Sequence, residues 1–139
     1  LNLKLKDLFD SMKIVKNSKA EGNVYMGGPV NPGAIFILHS SEKKWDSTME
    51  VSKEISLSTS EDAIQSIANC EGPESYLMTL GYSGWGVNQL ETELIENAWV
   101  VIPENRDVIF NPDPGKQMEE LSKFVGYDVR MISPDFGNA

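Results

Sequence analysis

The run Leu80-Gly81-Tyr82-Ser83-Gly84-Trp85-Gly86-Val87-Asn88-Gln89-Leu90-Glu91-Thr92-Glu93 constrains this chain more than any other stretch. The apolar residues Tyr76 to Tyr82 read as a strand that delivers the backbone into a loop with three glycines and a tryptophan. Asn88 stands where a helix N-cap belongs, and an acidic helix follows. Strand, glycine turn and helix start, in that order, expose backbone N–H groups to a ligand. The spacing Gly81-x-x-Gly84-x-Gly86 matches neither the dinucleotide fingerprint nor the phosphate loop. No lysine stands where a phosphate needs one, and Glu91 and Glu93 oppose an anion at the helix start. The loop therefore carries no nucleotide signature. Its glycines also let Tyr82 and Trp85 pack closely against backbone.

A chain of 139 residues, 40% hydrophobic, is the size of one ordinary domain with a core of its own. No apolar run approaches the ~18 residues of a membrane span. The single cysteine, Cys70, cannot close an internal disulfide, which points to a reducing, cytoplasmic setting. It reads as a small, semi-buried residue near a helix end. One cysteine and one histidine leave too few soft ligands for a structural zinc site, and no metal or cofactor is expected. The net charge of −9 is unevenly placed. Residues 1–53 hold eight lysines against six acids, whereas residues 54–139 hold four basic residues against fifteen acids, a local charge of −11. DNA affinity rests on neutralising phosphates, so the acidic region is a poor nucleic-acid surface. Direct DNA contact would fall to the lysines of residues 4–19, the weakest of the readings considered.

Along the chain, Leu5, Leu8, Phe9 and Met12 fall at helical spacing and predict an amphipathic helix over Lys4 to Ile14. The alternation from Leu1 to Leu5 also suits the tail of a strand. Val24-Tyr25-Met26 is a short strand stopped by Gly27-Gly28-Pro29. Asn31-Pro32-Gly33 is a turn signal, and Ala34 to Ser40 the clearest buried strand, with His39 on the side shared by Ile35 and Ile37. Met49 to Leu57 reads as one half-exposed strand, and Ser58 to Asp62 as a helix start whose core face is Ala63, Ile64, Ile67 and Ala68. Gly72-Pro73 ends that helix. Beyond the central helix, Ala98 to Ile102 and Val108-Ile109-Phe110 read as strands. Lys116 to Phe124 reads as a helix with Met118, Leu121, Phe124 and Val125 inward, closed by Gly126, and Asp128 to Ile132 as a last strand. Without steady strand–helix alternation, the expectation is a single α+β domain.

Four features carry chemistry. Ser83 sits in Gly81-x-Ser83-x-Trp85, which fails the nucleophile elbow because Trp85 replaces its second glycine. His39, the only histidine, ends an apolar strand and reads first as a hydrogen-bonded structural residue. Glu91 falls inside the apolar arc of Leu90, Leu94, Ile95 and Ala98, where a carboxylate must be paired or hydrogen-bonded. Asn88-x-x-Glu91 suits a capping box, the favoured reading, with a cleft-facing acid as the alternative. Gly27-Gly28-Pro29 marks either a turn or the close approach of another segment.

With these residues in view, the chain resembles the AlgH-like (YqgE/AlgH) family of bacterial proteins. The resemblance runs through Leu8-Phe9, Val24 to Val30, Phe36-Ile37-Leu38-His39 and Trp45-Asp46-Ser47-Thr48. It continues in Leu57 to Asp62, Gly72-Pro73, Leu80 to Gly86 with Gln89 to Glu93, and Glu96-Asn97-Ala98-Trp99. The resemblance implies a mixed, coiled sheet with about four flanking helices. It also implies a role like that of proteins described as transcriptional regulators, named for an effect on alginate production, with no established activity or cofactor. Members begin with further residues, including strands before Leu1, so the chain looks like a truncated piece of the domain. The family commonly has alanine at Ser83, against a serine nucleophile, and a histidine where Asn138 stands, which leaves His39 alone.

The resulting expectation is a cytoplasmic regulatory or binding protein, with no catalytic residues assigned, acting through protein or small-ligand contacts. The candidate cleft comprises Gly27, Gly28, Pro29, His39, Gly81, Tyr82, Gly84, Trp85, Gln89 and Glu91. The competing reading is an enzyme using Glu91 and His39 as an acid/base pair.

Overall fold

The computed structural model describes residues 3–14 and 18–125. The chain divides into two compact units, Leu1–Ser83 and Gly84–Ala139.

The first unit holds α1 (Leu5–Met12), β1 (Val24–Met26), β2 (Val30–Ser40), β3 (Met49–Glu50), β4 (Ile55–Ser58), α2 (Glu61–Ala68) and β5 (Tyr76–Tyr82). Its five strands form one mixed sheet in the order β1-β5-β2-β4-β3. β1 runs parallel to β5, and the other pairs are antiparallel. Helical spacing puts Leu5, Leu8 and Phe9 on one face of α1, and Ala63, Ile64, Ile67 and Ala68 on one face of α2. Both faces join Val24, Ile37 and Met78 of the sheet in one core cluster. Lys13, left-handed at φ 55°, closes α1, its N–H bonding to the Asp10 carbonyl.

Three elements depart from expectation for physical reasons. Asn31-Pro32-Gly33 does not end a strand but lies inside β2: Val30 pairs with Tyr82, and the next pair is Ile35 with Leu80. The extra chain is a bulge, which accommodates Asn31 at φ 46° and a proline without an N–H. Met49 to Leu57 is not one strand but the hairpin β3–β4, closed by the N–H groups of Val51 and Ser52 on the Ile55 carbonyl at 3.0 and 2.9 Å. Ser60 occupies the N-cap position of α2, yet its hydroxyl donates to Asp62, whose carboxylate accepts the Ala63 N–H at 2.8 Å. Cys70, left-handed at φ 60° just past α2, is exposed rather than semi-buried.

The second unit holds α3 (Gln89–Ile95), α4 (Arg106–Ile109) and α5 (Pro114–Val125). Two expected strands are absent from it. Val108-Ile109-Phe110 belongs to a helical turn, because the Asn105 side chain accepts the Val108 N–H at 3.1 Å and starts α4. Ala98 to Ile102 forms no ladder: Asn97 turns left-handed at φ 58°, the Ala98 N–H returns to the Glu93 carbonyl, and Val101 is 76% exposed. α5 begins at Pro114, suited to a first helical position, and Asp113 caps it through the N–H groups of Gly115 and Lys116. Met118, Leu121 and Val125 are partly buried, and Phe124 is exposed. Gly126, the Asp128 to Ile132 strand and Asn138 lie outside the described residues. The fold is α+β, with a five-stranded mixed sheet and five helices among the described residues, against the four expected.

Candidate functional site

The strand β1 leaves the sheet through Gly27 and Gly28, which meet the end of β5. A Cβ on Gly27 would run into the Gly81 carbonyl oxygen, and one on Gly28 into the Tyr82 carbonyl and the Ser83 nitrogen. A Cβ on Gly81 would come within 2.5 Å of the Gly28 oxygen. Gly28 (φ 154°) and Gly81 (φ 72°) also hold backbone conformations that side chains disfavour. Of the two readings of Gly-Gly-Pro, close approach describes the geometry: two backbones touch where the glycines stand. Pro29 is exposed beside them, and the exposed ring of Tyr82 meets Phe36 edge-on at 5.5 Å.

His39 is fully buried between β4 and β5. Its Nδ1 lies 2.8 Å from the Ser40 carbonyl oxygen, which only accepts, so Nδ1 carries the proton and donates. With one proton on the ring, Nε2 is then the acceptor for the Ser58 hydroxyl at 2.7 Å. The direction propagates outward. Ser58 Oγ accepts from Thr48 Oγ1 at 2.8 Å, and Thr48 Oγ1 accepts the Trp45 backbone N–H at 2.7 Å. The Trp45 ring completes the enclosure, edge-on to the imidazole at 5.3 Å. One donor direction satisfies every group from Trp45 to Ser40. Although a serine hydroxyl facing a histidine has the form of a nucleophile and its base, both are 0% exposed and both ring nitrogens are engaged.

In the second unit, Glu93 gathers the polar atoms of the tryptophan loop. Its Oε2 accepts the indole N–H of Trp85 at 3.0 Å and that of Trp99 at 2.7 Å. Its Oε1 accepts the Gln89 side-chain N–H at 3.3 Å, and Gln89 Oε1 accepts the Gly86 N–H at 2.9 Å. The two indoles meet edge to face, with centroids 5.7 Å apart. The indole donors, Trp99 first and then Trp85, with a smaller share from Gln89, hold the Glu93 carboxyl below the usual carboxylate range. No capping box forms: Asn88 is left-handed at φ 62°, its side chain caps nothing, and its carbonyl accepts the Thr92 hydroxyl at 2.8 Å. Glu91 and Gly84 are exposed, and no residue of α3 is buried.

Among the described residues no group of His, Cys, Asp and Glu is placed to hold a metal ion, and no helix is long and apolar enough to cross a membrane. A profile described as AlgH-like matches residues 1–130. The chain belongs to the AlgH-like family. Among its relatives, the UPF0301 protein of Idiomarina loihiensis is 35% identical over 99% of this chain and 76% of its own length. That of Thioalkalivibrio sulfidiphilus is 39% identical over 99% and 75%. The solution structure of the AlgH protein from Pseudomonas aeruginosa superposes with a TM-score of 0.77 at 32% identity, covering 99% of this chain and 74% of that one.

In this AlgH-like chain, then, the candidate residues fall into three groups. Gly27, Gly28, Pro29, Gly81 and Tyr82 come together, His39 sits in its own buried network, and Trp85 and Gln89 join Glu93. Sequence reasoning missed Glu93, because a helical wheel places it on the wet face, opposite Leu94 and Ile95. The available signal was the pair of tryptophans on either side of it, each with one N–H in need of an acceptor.

Proposed function

We propose that this AlgH-like chain acts as a cytoplasmic regulatory protein by binding rather than by catalysis, and that residues 84–101 carry its main contact surface. The observation behind this reading is a set of apolar side chains held in the open. Val87 is 95%, Ile95 81% and Val101 76% exposed, within a segment braced by the Trp85–Glu93–Trp99 cluster. Exposed apolar residues around partly exposed tryptophans are what a protein contact requires. Pro29 and Tyr82 offer a smaller contact area on the other glycine segment. The enzyme reading fares worse, because His39 has no ring atom open to a substrate. The transcriptional role implied by the family resemblance then runs through a protein partner, in keeping with the −11 charge of residues 54–139.

A photo-crosslinking amino acid placed at Val87 tests this directly in cells. The expected result is a discrete crosslinked protein, identified by mass spectrometry, that is absent when the same group replaces the exposed Glu50. Equal or absent crosslinking at the two positions overturns the proposal.

A further inference from the structure

An ionised carboxylate offers about four lone-pair positions, and three are filled at Glu93: two on Oε2 by indole N–H groups and one on Oε1 by Gln89. All three donors are neutral. No lysine or arginine pairs with Glu93 among the described residues, so its full negative charge stands beside two indole rings. Trp99 is 40% exposed, which leaves part of its ring open to solvent. We propose that Glu93, Trp85 and Trp99 form a binding site for a primary alkylammonium group, the lysine side chain of a basic partner segment. This rests on the contact surface proposed above and names the chemistry it recognises.

The lone-pair inventory selects the cation. One acceptor position remains, on Oε1, and a compact ammonium fills it with a single N–H, with the exposed part of the Trp99 ring as its aromatic neighbour. A guanidinium fork seeks two parallel acceptors and finds one. The ionised carboxylate is already stabilised by its three donors, so the negative charge is in place before the ligand arrives. The acidity of residues 54–139 draws a basic segment toward this part of the chain.

The three tryptophans supply the readout. In ¹H–¹⁵N spectra of the full chain, titration with Nα-acetyl-lysine N-methylamide should shift the indole N–H signals of Trp85 and Trp99 saturably. The signal of Trp45, whose indole donates to Ser66, should stay fixed. The ε-trimethylated analogue, which lacks an N–H, and the arginine analogue should bind more weakly. Glu93→Gln should weaken lysine binding about tenfold, with dispersed Trp85 and Trp99 indole signals and circular dichroism reporting an intact fold. Gln89→Ala, which frees a second position on Oε1, should improve the arginine analogue relative to lysine. Absence of a saturable shift, trimethyl-lysine binding as tightly as lysine, or an unchanged ranking in Gln89→Ala each overturns the ammonium site. Crosslinking at Val87 without lysine binding removes this assignment and leaves the contact surface standing; lysine binding without crosslinking does the reverse.

Discussion

Ser58 holds the buried polar chain of the first unit in one direction, donating to His39 and accepting from Thr48. Replacing it with alanine leaves His39 Nε2 without a donor and the Thr48 hydroxyl without its acceptor, in a site closed to water. Ser58→Ala should therefore cost about 1–3 kcal/mol, read as a lower urea midpoint. Glu93 makes a pH-dependent statement. Its folded carboxyl is more acidic than the unfolded one, so its contribution is complete above the unfolded value, about 4.3, and is lost as pH falls through the lower folded value. Tryptophan emission should stay constant from neutrality down to the ordinary glutamate value, about 4.3, and change only below it. Glu93→Gln should abolish that transition; a transition that survives it belongs to another group. Neither role follows from helical or strand spacing alone. A wheel gives the angle of Glu93 but not the acceptor needs of Trp85 and Trp99, which arrive from outside the helix.

At the scale of elements, the β1–β5 junction and the β2 bulge respond oppositely to the same substitution. Gly28→Ala drives a Cβ into the Tyr82 carbonyl at a φ that alanine resists, and should cost about 3 kcal/mol or more. Gly33→Ala meets nothing within 4 Å and should change stability by less than about 1 kcal/mol. Thermal melts of the two variants decide the comparison. The helices of the first unit were readable because their apolar spacing matches what they bury: Leu5, Leu8 and Phe9 on α1, Ile64 and Ile67 on α2. Tyr76–Tyr82 was read with its observed ends. Those of the second unit were misread where short apolar runs carry no periodicity. Val108 packs inward from one helical turn, and the decisive residue was Asn105, a cap three positions earlier. The Ala98 to Ile102 run had strand composition but no neighbour to pair with among the described residues. Turn chemistry also has two meanings, as Asn31-Pro32-Gly33 shows by bulging a strand instead of ending it.

For the whole molecule, charge bears on nucleic-acid contact. With −11 on residues 54–139 and a net −9, electrostatics oppose a phosphate backbone. A DNA duplex in a low-salt gel should migrate unchanged in its presence, and a retarded band that disappears with added salt would reverse this. The sheet carries a consequence of another kind. β3 meets β4 in a local hairpin, whereas β1 pairs with β5 only after β2, α2 and everything between have been traversed. Closing that long loop has the largest entropy cost in the sheet, so β1 should dock late during folding. The touching glycines lie at the point expected to close last. Gly27→Ala should accordingly speed unfolding and leave refolding nearly unchanged, the two arms of a chevron separating the effects. On that expectation the tight contact at Gly27, Gly28 and Gly81 would work as a latch, setting how long the folded sheet survives rather than how quickly it assembles.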